Sequence, residues 1–134
     1  MIVVDASVAV RWVASEEGSE LAATLLTADN LHAPDLIAIE VGSELSRKVA
    51  AEQLTRIQAD AGLQLLFDRL RLHPSSTALL GRAVDLSLAL KHPIYDCIYV
   101  ALAEHLDAEI ATQDAALAKH IRRIGTVPLA AGFR

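Results

Sequence analysis

Four acidic residues sit where a merely solvated carboxylate is out of place. Asp5 directly follows the β-branched run Ile2-Val3-Val4, and Asp114 lies two residues past the run Glu109-Ile110-Ala111-Thr112. Glu40 falls among Leu36, Ile37, Ile39, Val41 and Leu45, and Asp96 enters the first turn of a segment that is apolar on nearly every side. A charge amid apolar neighbours needs a partner. Carboxylate oxygens gathered without Cys or paired His suit hard cations such as Mg2+ or Mn2+. With such an ion, acids can orient a water, lower its pKa and offset charge developing on a phosphodiester. Without one, mutual repulsion raises the pKa of at least one of them. Each acid also has an ordinary explanation. Asp5 or Ser7 can cap the helix that follows, and propensity alone favours the cap. Asp96 suits a helix N-terminus whatever else it does. Glu44, four residues after Glu40, reads as a solvated residue pairing with Lys48 at i+4 or with Arg47 nearby; for Glu40 both readings stay open.

Bringing four acids together is the work of the elements around them. Ile2-Val3-Val4 predicts a strand buried on both faces, and a helical pattern follows through Val8, Val10, Trp12 and Val13. After the polar break Ser15-Glu16-Glu17-Gly18, Ser19-Glu20 opens a second helix ending near Asp29-Asn30. Leu31-His32-Ala33 is a brief strand closed by Pro34, and Pro34-Asp35 starts a long helix to about Ala51, with Pro as a favoured first helical residue. Gln53-Leu54-Thr55 caps a fourth helix through Phe67. Leu70 to Pro74 alternates as a strand, and Ser75-Ser76-Thr77 caps a fifth helix through Leu90. In His92–Leu106, Tyr95, Tyr99, Leu102 and Leu106 form one helical stripe and Ile94, Ile98 and Ala101 another, which predicts a core helix. Glu109 to Thr112 reads as a strand, Ala115 to His120 as a short helix and Gly125 to Leu129 as a last strand. Strands alternating with helices predict a single domain over residues 1–134, a three-layer α/β/α fold with a mostly parallel central sheet flanked by helices. Ligands of such folds gather at the carboxyl ends of the strands, where Asp5 and Asp114 lie.

Bulk properties narrow the classes. A net charge of −5 argues against nucleic-acid binding through overall charge, though an ion held by acids can still present positive charge to phosphate. The single cysteine, Cys97, cannot form an internal disulfide and reads as packing rather than as a nucleophile. Met1 to Asp5 shows no signal-peptide pattern, and charges interrupt every apolar run before membrane-spanning length. The expectation is a cytoplasmic protein with no membrane association. His32, His73, His92, His105 and His120 lack the spacing of a zinc site and read as surface or helix-end residues. Phosphate-cradling glycine loops are missing. A phosphate-accepting signalling domain would need a Lys after a late strand, and Val127-Pro128-Leu129 supplies none.

Taken in order, these segments resemble a known family. Val3-Val4-Asp5-Ala6-Ser7-Val8 with Trp12 and Glu16-Glu17, Pro34 to Leu45 around Glu40-Val41, Tyr95-Asp96-Cys97 on to Glu104, and Thr112-Gln113-Asp114 are similar to PIN domains. The likeness is to the toxin ribonucleases of VapBC toxin–antitoxin pairs in particular. It implies a PIN-like fold in which Asp5, Glu40, Asp96 and Asp114 are the catalytic acids and ligands of Mg2+ or Mn2+. Ser7 and Thr112 would support these acids or orient phosphate. Ser43 stands where the family often has Asn, with a shorter reach. Some members carry another acid shortly after the last Asp; Ala115, Ala116 and Leu117 offer none, which leaves a second metal position open. The resemblance implies an endoribonuclease toxin of a type II toxin–antitoxin system, hydrolysing phosphodiester bonds of RNA such as tRNA with a metal-activated water. It further implies a cognate antitoxin and a homodimer. Arg11 and Lys119, each on a helix that follows a site acid, are the candidate RNA contacts. The alternative is a non-catalytic PIN-like binding module that uses the pocket only to hold a partner.

Overall fold

Val3 and Val4 are fully buried at the centre of a four-stranded parallel sheet. The computed structural model describes residues 1–134. Its strands are β1 (Ile2–Val4), β2 (Leu31–Pro34), β3 (Arg71–His73) and β4 (Glu109–Ala111). Its helices are α1 (Ala6–Ala9), α2 (Ser19–Ala23), α3 (Leu36–Ala50), α4 (Arg56–Arg69), α5 (Thr77–Leu90), α6 (Ile94–Leu106) and α7 (Ala115–Ile124). Both α1 and α2 tighten into a 3-10 turn at their ends, Val10–Trp12 and Thr24–Thr27. No helix is long and apolar enough to cross a membrane.

The sheet order is β3-β2-β1-β4, all parallel. The chain steps from β1 to β2 to β3 in one direction, then crosses back over the whole sheet to β4. Parallel crossovers are almost always right-handed, so this reversal puts α5 and α6 on the face opposite α1 to α4. The reversal also leaves β1 and β4 as neighbours, with a crevice at their carboxyl ends. α6 packs on β1, β2 and β4 and pairs along its length with α5. Seven consecutive residues of α6, Cys97–Ala103, are buried, which is why its sequence is apolar all round.

Local chemistry sets the helix ends. Thr55 and Gln58 form a reciprocal capping box at α4, Ser76 caps α5, and Asp5 and Asp114 cap α1 and α7. At the other end, Gly125 closes α7 with φ +72°, a conformation that favours glycine. Gly62 matters for packing: a Cβ there would stand 2.6 Å from both methyl carbons of Val13. Its missing side chain lets α4 press against the end of the first helical segment.

The structure differs from the sequence expectations at several points. Pro34 pairs with His73 as the last residue of β2, and α3 begins at Leu36. Proline lacks an N–H but can still end a strand. α7 continues past His120 to Ile124, because Ile121 extends its buried Leu117–Ala118 face. The segment Gly125 to Leu129 makes only one parallel bridge, Leu129 to Ile110; Pro128 has no N–H to donate to a longer ladder. Tyr95 is 60 % exposed rather than part of the core stripe. Glu44 pairs with Arg47, while Lys48 reaches across to Glu16. His32 is buried, held between His73 and Asn30 at 2.9 Å and 2.8 Å.

Candidate active site

The β1–β4 register pairs Val4 with Ala111, and the Asp5 N–H continues the ladder to the Ala111 carbonyl at 3.0 Å. One step further, Asp5 faces Thr112. The Thr112 hydroxyl donates to Asp5 Oδ2 at 2.9 Å, and the Ser7 hydroxyl donates to the same oxygen at 2.6 Å. Ser7 Oγ in turn accepts the Gln113 N–H at 2.9 Å, and Thr112 Oγ1 accepts the Asp114 N–H at 3.1 Å. Two hydroxyls thus knit the loop after β4 to the loop after β1. Asp114 turns one oxygen, Oδ1, to the N–H groups of Ala116 and Leu117.

The other two acids arrive on helices. Glu40, on α3, receives the Tyr99 hydroxyl on Oε1 at 2.5 Å. Asp96, in the first turn of α6, receives His92 Nε2 on Oδ2 at 2.6 Å. His92 is itself fixed: its carbonyl accepts from the Ser87 hydroxyl at 2.6 Å, and its ring lies 4.6 Å from that of His120 on α7. Asp5, Glu40, Asp96 and Asp114 line one cavity of about 270 Å³, with Ser7 and Glu44 also on its wall. A larger hollow of about 430 Å³, between α5 and α6, surrounds the Arg82–Glu104 ion pair and gathers none of these acids.

The four carboxylates share one pattern. Each commits a single oxygen to hydrogen bonds within the protein: Oδ2 of Asp5 and Asp96, Oε1 of Glu40 and Oδ1 of Asp114. The second oxygen of each has no protein donor. Electrostatics point the same way. Burial raises the pKa of Asp5, opposed by the Ser7 and Thr112 hydrogen bonds. Burial also pushes Glu40 up to about 7, opposed by the Tyr99 hydroxyl and reinforced by the charges of Asp5 and Asp96. A cation would relieve this repulsion. No three His, Cys, Asp or Glu side chains stand close enough to surround an ion on their own. Mg2+ commonly keeps several waters and takes only one or two carboxylates directly, so the donor set fits a hydrated hard cation.

Ser43, Arg11 and Lys119 are not brought into this cavity. Ser43 is exposed on α3, and its hydroxyl makes no hydrogen bond to another side chain or to the cavity acids. Arg11 donates to the carbonyls of Ser7 and Glu17 and pairs with Glu16, clipping the loop after α1 in place. Lys119 is exposed on α7. His92 and Gln113 are supporting residues that sequence reasoning missed, and Tyr99, expected in the core stripe, also holds Glu40. His92 sits just ahead of α6, four residues before Asp96, near enough along the chain for its ring to reach the first turn of the helix. Tyr99 is a buried aromatic with a hydroxyl that must find an acceptor. Cys97 is buried, and burial together with Asp96 raises its pKa, as expected for packing.

Comparison with known proteins gives concordant results. The family profile described as "PIN domain" matches residues 2–122. Ribonuclease VapC3 of Pyrobaculum aerophilum is 36% identical over 124 residues, which span 88% of this chain and 92% of the relative. Ribonuclease VapC1 of Mycobacterium tuberculosis is 33% identical over 123 residues, 87% of each chain. A crystal structure of VapBC2 from Rickettsia felis, bound to a DNA fragment from their promoter, superposes with a TM-score of 0.71. It covers 97% of this chain and 98% of its own at 14% identity, a likeness of fold.

Proposed function

Because the chain belongs to the PIN-domain family, in its VapC group, we propose that it is the ribonuclease toxin of a toxin–antitoxin pair and cuts RNA at the four-acid cavity. The observation that carries this reading is the convergence of Asp5, Glu40, Asp96 and Asp114 on one cavity, each with one oxygen held and one oxygen without a protein donor. The relatives named as ribonucleases support it.

Mg2+ or Mn2+ is part of the proposal, with Asp5, Glu40, Asp96 and Asp114 as the residues that would hold it. When bound, such an ion offsets phosphodiester charge and acidifies water. The chain's own residues prepare for that chemistry. Ser7 and Thr112 pin Asp5 at the end of β1, Tyr99 pins Glu40, His92 pins Asp96, and the first turn of α7 pins Asp114. Holding one oxygen of each acid leaves the other aimed without rotamer freedom to lose. No side chain is placed as a nucleophile. The proposal treats residues 1–134 as one PIN-like unit acting with a cognate antitoxin and as a homodimer. Leu80, Val84 and Leu88 are exposed at i, i+4 and i+8 along α5, an apolar stripe of the kind that a protein partner covers.

Purified protein, stripped with chelator and given Mn2+ or Mg2+, should cleave RNA, and Asp96→Asn should reduce the rate by about a hundredfold or more, the size of effect typical of losing a charge-stabilising group. Equal cleavage by the Asn variant, with contaminating nuclease excluded, would overturn the assignment. Metal binding without any cleavage would favour the non-catalytic binding module.

A further inference from the structure

Charge is divided unevenly along this chain. All 17 Asp and Glu lie before residue 115, together with eight of the 12 Lys and Arg. The residues after Asp114 hold Lys119, Arg122, Arg123 and Arg134 and no acid at all. None of these four cations enters an ion pair, whereas five of the eight before residue 115 do, Arg11, Arg47, Lys48, Arg56 and Arg82, leaving Arg69, Arg71 and Lys91 without one. Unpaired surface cations concentrate positive potential on one side of an otherwise acidic protein.

That side adjoins the acidic cavity. A hollow of about 390 Å³ takes Thr112 and Asp114 into its wall and continues over Ala115 and Ala118 to Arg122 and Arg134. Ala115, Ala118 and Arg122 fall at i, i+3 and i+7, one face of α7, and the alanines leave room that longer side chains would fill. Arg122 lies roughly 12 Å along the helix axis from Asp114 at 1.5 Å per residue. Leu21 and Phe133 give the hollow an apolar flank. Past Arg122 and Arg134 a second hollow of about 450 Å³ uses the same two arginines as its near wall, so they stand between two open stretches of one groove.

We propose that this groove along α7 is the seat of the RNA chain flanking the scissile phosphate, with Arg122 and Arg134 each meeting a backbone phosphate and the Leu21–Phe133 flank meeting sugar or base. The proposal rests on the ribonuclease reading above. A polyanion with one charge per nucleotide suits cations spaced along a groove that starts at a cleavage site. The acids alone would repel it, and the unpaired arginines beside them supply the attraction.

The test uses full-length protein carrying Asp96→Asn, which binds without cutting, and a fluorescein-labelled single-stranded RNA of about twelve nucleotides, a length of the order of one single-strand binding site. Anisotropy is read across a salt series. Adding Arg122→Gln and Arg134→Gln should weaken binding about tenfold or more and flatten the slope of log affinity against log salt by about 0.7 for each phosphate that is no longer neutralised. Arg56→Gln, on the far helix α4, should leave both quantities unchanged. In the active protein the double variant should raise KM while leaving kcat near its starting value. Unchanged affinity and slope in the double variant would overturn the groove, even if the protein is a ribonuclease. Loss of binding to a poly-glutamate peptide with RNA binding intact would also overturn it, and would assign the arginines to a protein partner. RNA binding that depends on Arg122 and Arg134, in a wild-type protein that never cuts, would keep the groove and remove the ribonuclease reading.

Discussion

The Tyr99 hydroxyl on α6 donates to Glu40 on α3, a bond of 2.5 Å that ties the two helices together behind the cavity wall. Tyr99 is fully buried, and burial with the Glu40 charge raises its pKa, so it stays a donor at neutral pH. Tyr99→Phe keeps the ring and removes only the bond. It should cost about 1 kcal/mol of stability, yet weaken Mn2+ binding several-fold and slow RNA cleavage about tenfold, the scale set by losing a group that orients a ligand. Calorimetric titration and a cleavage assay read the two effects separately. Tyr99→Ala would instead open a cavity and destabilise the protein by roughly 3–5 kcal/mol. A Phe variant equal to wild type in both metal affinity and rate would show that the bond is only structural.

Glu40 gives the protein a pH signature. Its folded pKa of about 7 lies above its ordinary value of 4.5, so the folded state holds this proton more tightly than the unfolded state. Its contribution to stability is therefore complete below about pH 4.5 and declines as pH rises towards 7. In metal-free protein Glu40→Gln should flatten that decline in a series of melting curves. Added Mn2+ should raise the melting temperature of the wild type more above pH 7 than near pH 5, because the ion competes with the proton. Superimposable pH profiles for wild type and Glu40→Gln would refute the assignment of this proton to Glu40.

His92 acts on Asp96 through a 2.6 Å bond and is braced by Ser87 and His120. His92→Leu frees the Asp96 carboxylate to rotate. Metal affinity should fall about tenfold, within the range seen when a ligand loses its supporting partner, with the far-ultraviolet spectrum unchanged. His92→Gln, which can still donate, should recover part of the loss. Equal defects in the Leu and Gln variants would mean that ring packing, rather than the hydrogen bond, is what Asp96 needs.

Asp5 combines a cap with a buried charge, since it is only 4 % exposed and its side chain accepts the Ser7 N–H. Asn caps a helix about as well as Asp and removes the charge that burial opposes. Asp5→Asn should therefore abolish cleavage without lowering the melting temperature of the metal-free protein. A marked drop in melting temperature would mean that the negative charge itself is needed by Ser7 and Thr112.

Much of this arrangement was legible in the chain because it follows from local rules. Asp5 and Asp114 end strands, and a parallel sheet gathers ligands there. Thr55–Gln58 and Ser76 announce their helices through capping chemistry. The meeting of Asp5 and Asp114 follows once β1 and β4 are neighbours, and α3 and α6 bring Glu40 and Asp96 to them. Other features are set by contacts between distant segments and leave little local trace. Tyr95 and Tyr99 share a helical stripe, but only Tyr99 meets Glu40 while Tyr95 faces solvent at the first turn. Glu44 and Lys48 have ideal spacing to pair, yet Lys48 turns to Glu16, 32 residues earlier in the chain. Arg11 follows Asp5 by six residues, and its guanidinium is taken by the carbonyls of Ser7 and Glu17. Gly125 to Leu129 has strand-like composition, but Pro128 limits it to a single bridge.

The neighbouring placement of β1 and β4 also decides when the cavity comes into being. Asp5 leaves the ribosome more than a hundred residues ahead of Asp114, so the partner strand that completes its surroundings is the last of the four to be made. Chains fold during synthesis from the N-terminal side, and until β4 docks Asp5 lacks both Thr112 and Asp114. Every nascent or prematurely ended product short of that point carries an incomplete site. The strand order therefore works as a timing device: the four-acid cavity cannot assemble until the fourth strand has emerged.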